Sequence, residues 1–137
     1  MKINQSRIIV DTNLWISYLI TKGYHRLDKL ILTDKAVLIF SRELIDEFVE
    51  VSQRPKFAKY FSSDDIFRLL DLFDSYGQIV KVKSNIQICR DLKDNFLLSL
   101  SKDSKADYLI TGDKDLLDLK KSGNTIILTI TEFESSI

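Results

Sequence analysis

The chain has 137 residues, 45% of them hydrophobic and 29% charged, with 20 basic against 20 acidic side chains. That length suits one globular domain, residues 1–137, with a core of its own, and the zero net charge offers a polyanion no overall basic field. One cysteine (Cys89) and one histidine (His25) exclude a disulfide framework and a Cys- or His-rich zinc site, and they imply a reducing, cytoplasmic setting. The opening Lys2-Ile3-Asn4-Gln5 is polar, unlike a signal peptide, and no apolar run approaches a membrane span.

Ile8-Ile9-Val10 is apolar at every position, as expected of a strand covered on both faces. Asp11-Thr12-Asn13 ends it, and a helix from about Leu14 to Leu19 follows, with Thr12 or Asn13 to cap it. Gly23 breaks the pattern, Arg26 to Leu32 reads as a second helix carrying His25 at its solvated start, and Ala36 to Phe40 is a second buried strand. Ser41 starts a helix from Arg42 to about Gln53, whose apolar residues Leu44, Ile45, Phe48, Val49 and Val51 fill one arc. Of its acids, Glu47 lies nearest that arc, while Glu43, Asp46 and Glu50 face away. Arg54-Pro55-Lys56 ends the helix.

Ser62-Ser63-Asp64-Asp65 resembles a capping box for a helix from Ile66 to Tyr76, stopped at Gly77. Gln78 to Val82 is a short strand. Asp94 opens a helix to about Lys102, and Asp107 to Ile110 is a further buried strand, ending in Thr111-Gly112-Asp113-Lys114-Asp115. Leu116 to Lys120 makes one or two helical turns, capped by Asp115 and stopped near Gly123. Thr125 to Ile130 is the last strand, and Thr131 with Glu134 caps a terminal turn. Strands alternating with helices predict a three-layer α/β/α domain around a mainly parallel sheet of about five strands. Trp15 and Cys89 read as core residues.

In such sheets ligands bind at the carboxyl ends of the strands. Asp11 and Asp113 each follow a strand, Glu47 is in a helix entered from another, and Asp94 opens a helix leading into a fourth. Singly, each acid also suits an ordinary role: a turn residue, a helix cap, a solvated helix position. Jointly they bring like charges to one edge, where carboxylates repel unless a cation compensates, and oxygen donors favour a hard divalent ion. Phosphate loops of the Walker and GxGxxG types are absent, and a lone histidine makes a Ser-His-Asp triad a poor fit.

The ordered set Arg7 to Asn13, Ser41 to Glu47 with Arg54-Pro55-Lys56-Phe57, Arg90-Asp91 with Asp94-Asn95, and Ala106-Asp107 with Thr111 to Leu117 resembles the PIN domain, most of all the toxin nucleases of bacterial toxin–antitoxin modules. It covers nearly the whole chain, departing from the family pattern at Leu92 (commonly Pro) and Ser101 (commonly Ala). The resemblance implies a three-layer PIN-like fold and a ribonuclease using one or two Mg²⁺ or Mn²⁺ ions. Its metal-binding, catalytic acids match Asp11, Glu47, Asp94 and Asp113, with Asp91 and Asp115 accessory and Thr12, Asn13 and Thr111 orienting acids or water. Lys114, Lys93, Arg90 and Lys56 are candidates for substrate phosphate contacts. RNA is the implied substrate, a small antitoxin protein the implied partner, and a homodimer the implied assembly, with no membrane role.

Two other readings remain open. Asp11 after an apolar strand, with Gly112-Asp113 and Asp118, faintly matches a haloacid-dehalogenase-like phosphatase, but that chemistry wants a second Asp where Asn13 stands. A non-catalytic PIN-like module that binds RNA or a partner is the other.

Overall fold

The computed structural model describes residues 5–21 and 25–136, with the side chains of His25 and Arg26 excepted, so the expected break at Gly23 and exposure of His25 lie outside the described residues. In chain order the elements are β1 (Ser6–Val10), α1 (Thr12–Thr21), α2 (His25–Leu32), β2 (Ala36–Phe40), α3 (Arg42–Ser52), α4 (Pro55–Ala58) and α5 (Ser63–Tyr76). Then come β3 (Gly77–Ile79), α6 (Leu92–Ser104), β4 (Tyr108–Ile110), α7 (Lys114–Leu117), β5 (Lys121–Ser122), β6 (Thr125–Leu128) and α8 (Ile130–Ser136).

Helices flank a six-stranded sheet of order β3-β2-β1-β4-β6-β5. All pairings are parallel except that of β5 with β6. Ile8, Ile9, Val10, Leu38, Ile39, Leu109 and Ile110 are all buried, because the central strands are covered on both faces. From β1 the chain builds outward through β2 to β3, then returns to lay β4 and β6 on the other side. The strand order therefore reverses between β1 and β4, and the crevice outside their carboxyl ends is where ligands bind in such sheets.

Several boundaries differ from the sequence expectation for local reasons. Pro55, favoured at the first helical position, starts α4 as well as following α3. The two-residue β5, too short to show a period, makes six strands where about five were expected. Helix α6 begins at Leu92 with Asp91 as its cap, so Asp94 sits inside the first turn and does not open the helix. The terminal cap is a reciprocal pair two residues earlier than expected: Thr129 Oγ1 accepts from Glu132 N at 3.1 Å, and Glu132 Oε1 accepts from Thr129 N at 3.0 Å. The expected Ser62–Asp65 capping box is present, and the helix begins at Ser63. Gly77 stops α5 through lack of space, at φ −106°: a Cβ there would collide with the Phe73 carbonyl and press on the Phe40 ring at 3.1 Å.

The strand expected to reach Val82 ends at Ile79, although Val80 N still donates to Phe40 O at 2.7 Å. From there residues 80–91 run as a strap along α6. Polar side chains spaced four apart on that helix take its backbone donors. Asp103 Oδ2 accepts from Lys83 N and Ser84 N, Ser99 Oγ from Ile86 N, and Asn95 Oδ1 from Ile88 N and Cys89 N at 3.1 and 2.7 Å. Asn95 Nδ2 donates back to Cys89 O at 3.0 Å. The ladder explains how Asn95 and Ser99 can be buried, and it delivers Arg90 and Asp91 to the sheet edge. Asn95→Ala is expected to lower stability by about 2 kcal/mol, since it orphans three backbone groups near the core. Urea denaturation measures the loss, and unchanged hydrogen exchange at the Ile88 and Cys89 amides would count against the ladder.

Candidate metal-binding cleft

The Asp11 backbone is held on both sides. Its N–H donates to Ile110 O at 2.9 Å, and its own carbonyl accepts from Leu14 N at 2.9 Å, the first turn of α1. The residue is thus clamped between β1 and β4 at the reversal point. Asp11 as a whole is 5% exposed. Thr111 Oγ1 donates to Asp11 Oδ2 at 2.9 Å and accepts from Asp113 N at 3.1 Å, tying the ends of the two strands together. Asp11 Oδ1 is buried and receives no hydrogen bond.

Asp94 is 3% exposed, and its Oδ2 also lacks a hydrogen-bond donor. Burial, then the charges of Asp113, Asp91 and Asp11, push its carboxyl up to about 6 from the ordinary 3.8. Asp94, Asp113 and Asp115 can each bring a carboxylate oxygen within 4.8 Å of the others. Asp11, Asn13, Asp91, Lys93, Asp94 and Asp113 line one cleft of about 390 Å³. Two buried carboxylate oxygens with no donor, facing further carboxylates, are costly unless a cation is taken up, and the all-oxygen donor set fits a hard divalent ion.

The corner after β4 reverses one expectation. Asp113, not Asp115, caps α7: its Oδ1 accepts from Asp115 N at 2.8 Å. Asp115 lies in the first turn, beside Asp113 and Asp94, and its carboxylate meets Arg90 at 3.1 Å. With only four residues, α7 has its cap one step before the first helical residue, which leaves Asp115 no cap to make.

Glu47 is the one half-buried acid of α3; Glu43, Asp46 and Glu50 are exposed. Ser41 sets that phase, its Oγ accepting from Leu44 N at 3.0 Å. Glu47 does not join the aspartate cluster. It lines a neighbouring hollow with Glu43, Lys93 and Phe96, and its Oε1 lies 2.9 Å from Lys93 Nζ. Burial pulls the Lys93 ammonium down, but the bond to Glu47 and the charges of Asp11, Glu47 and Asp91 outweigh it and hold it above its ordinary value.

The remaining expected residues divide. Asp91 caps α6, its Oδ1 accepting from Lys93 N at 2.9 Å, and lines the cleft. Asn13 lies exposed on the cleft wall, whereas Thr12 is fully buried and its Oγ1 makes no hydrogen bond to an acid. Lys114 pairs with Asp118 at 3.0 Å, and Lys56 sits on α4 with its ammonium 5.4 Å from the Phe57 ring; neither lines the cleft. Sequence reasoning did not foresee the Glu47–Lys93 and Arg90–Asp115 pairs. The alternating charges of Arg90-Asp91-Leu92-Lys93-Asp94 are the signal that was available for them.

Comparison with known proteins bears on the family and the fold. The PIN domain family model matches residues 7–115. An uncharacterized protein of Methanocaldococcus jannaschii, MJ1680, is 33% identical over 117 residues, covering 83% of this chain and 75% of its own. Among solved structures, PAE2754 from Pyrobaculum aerophilum aligns with a TM-score of 0.58 at 15% identity, covering 98% of this chain and 96% of that one. VapBC2 from Rickettsia felis, solved bound to a DNA fragment from their promoter, aligns with a TM-score of 0.54 at 19% identity, covering 88% and 96%. Those two likenesses concern the fold; the family match over residues 7–115 carries the assignment, and the chain belongs to the PIN domain family.

Proposed function

We propose that this protein is a Mg²⁺- or Mn²⁺-dependent endoribonuclease, the toxin of a toxin–antitoxin pair. The observation that carries the reading is the pair of buried, donor-free carboxylate oxygens, Asp11 Oδ1 and Asp94 Oδ2, beside Asp113 at the sheet's reversal point. Asp11, Asp94 and Asp113 would hold the ion, with Asp115 at the rim and Glu47 within reach of the same cleft. A divalent ion held there would acidify a water and would neutralise charge on a phosphodiester in line for displacement. The chain's own part is placement. Thr111 fixes the Asp11 carboxylate, the Asp91 cap fixes the start of α6 and so Asp94, and the Asp113 cap fixes the corner after β4. No histidine is required as acid or base, in keeping with a chain that has one.

The likeness to VapBC2 supports a small antitoxin protein as partner; a homodimer is the assembly that the family resemblance implies. A cytoplasmic location accords with the single cysteine. Purified protein is expected to cut single-stranded RNA internally with Mn²⁺ or Mg²⁺ and to stop on chelation. Release of phosphate from a phosphomonoester, with RNA left intact, would overturn the reading in favour of a phosphatase. Metal binding without either reaction would favour a non-catalytic module.

A further inference from the structure

Lys93 is the one cation among the residues that line the acid cleft, and it also lines the neighbouring hollow that contains Glu47. It sits in the first turn of α6 between Asp91 and Asp94, and its ammonium is ion-paired with Glu47 at 2.9 Å. The side chain therefore forms the partition between Glu47 and the aspartates. Surface ion pairs contribute little, but this one is two-thirds buried on both sides, 35% and 30% exposed, where an unpaired charge is costly.

We propose that Lys93 is a resident counter-ion of the cleft, which holds Glu47 in reserve while the site is empty of metal and yields it when a divalent ion enters. This rests on the metal-binding reading above and adds the order of events. The aspartates bind first, and Glu47 joins only after its bond to Lys93 breaks. The freed ammonium, on a flexible four-carbon stem at the lip of the cleft, is then available to a substrate phosphate. The ammonium and the divalent ion compete for the same negative field, so the pair sets a threshold on metal affinity.

Calorimetric Mn²⁺ titration of the wild type, Lys93→Gln, Lys93→Arg and Lys93→Gln/Glu47→Gln tests this, with melting temperature followed in parallel. Lys93→Gln is expected to bind Mn²⁺ about tenfold more tightly than the wild type and to melt lower without metal, as the attraction between a cation and a nearby carboxylate at the protein surface predicts. Lys93→Arg is expected to stay near the wild type. Removing Glu47 in the Lys93→Gln background is expected to return most of the gain. Unchanged or weaker binding by a folded Lys93→Gln, with Mn²⁺ still bound by the wild type, overturns the counter-ion role and leaves the metal site standing. If neither protein binds Mn²⁺, the metal site and this inference fall together.

Discussion

Asp94→Asn is expected to lower metal-dependent RNA cleavage by about 10³-fold in a folded protein, the largest effect of any single substitution in the cleft. Asn keeps the shape and leaves the Asp91 cap of α6 untouched, so the loss reports charge. Asp94 is 3% exposed, with a donor-free oxygen and Asp113 beside it, so its carboxylate gains most from an ion and contributes most to holding one. Losing one strong, preorganised electrostatic group costs about 10²- to 10³-fold in rate. Asp113→Asn is the sharper comparison. Asn caps a helix about as well as Asp, so the cap on α7 survives, and a loss of about 10²-fold isolates the ligand role. Asp115→Asn is expected to be milder, because its carboxylate is 38% exposed and already paired with Arg90. Single-turnover cleavage at saturating Mn²⁺, with circular dichroism as the fold control, ranks the three. An Asp115 variant more damaging than Asp113→Asn would give Asp115 the central place at this corner.

The metal-free protein is expected to gain stability on acidification from pH 7 to about 4.5, against the usual behaviour of carboxylates. Asp94 has a raised value in the folded state, about 6 against 3.8. Below the ordinary value it is protonated in both states and burdens neither. Above about 6 it is ionised in both, and the folded protein bears the whole penalty of a buried charge beside other acids. Stability is therefore lost as pH rises through that window, by at most about 3 kcal/mol. Asp103 acts in the opposite sense and lower down. Its carboxyl is held below the ordinary value by the Ser84 hydroxyl and the Ser84 and Lys83 amides, so its contribution is lost only as pH falls beneath the ordinary carboxylate range. Urea denaturation in chelator at pH 7 and 4.5 measures the gain, which Asp94→Asn should abolish. Mn²⁺ at pH 7 should stabilise the wild type by binding the native state. A wild type that only loses stability between pH 7 and 4.5 would show that Asp94 does not carry the strain assigned to it.

Some of this was legible in the order of residues. Unbroken apolar runs at Ile8 to Val10 and Ala36 to Phe40 announce strands covered on both faces, and Asp11, directly after the first, falls at a strand end whatever the detailed packing. The phase of α3 singled out Glu47 because helical geometry is local: Leu44, Phe48 and Val51 turn one face inward and leave a single acid at its margin. Tertiary structure alone decided the rest. No local signal shows that β1 and β4, a hundred residues apart, lie side by side, and only that neighbourhood sets Thr111 against Asp11. The strap on α6 is equally hidden, because Asn95, Ser99 and Asp103 look like an ordinary polar stripe until backbone donors from residues 83–89 reach them. Which of the two aspartates caps α7 depended on the helix starting at Lys114, two residues before the pattern implied. Whether Lys93 faced solvent, phosphate or Glu47 was a question of distance, and distances between elements are set by packing, which a one-dimensional pattern does not contain.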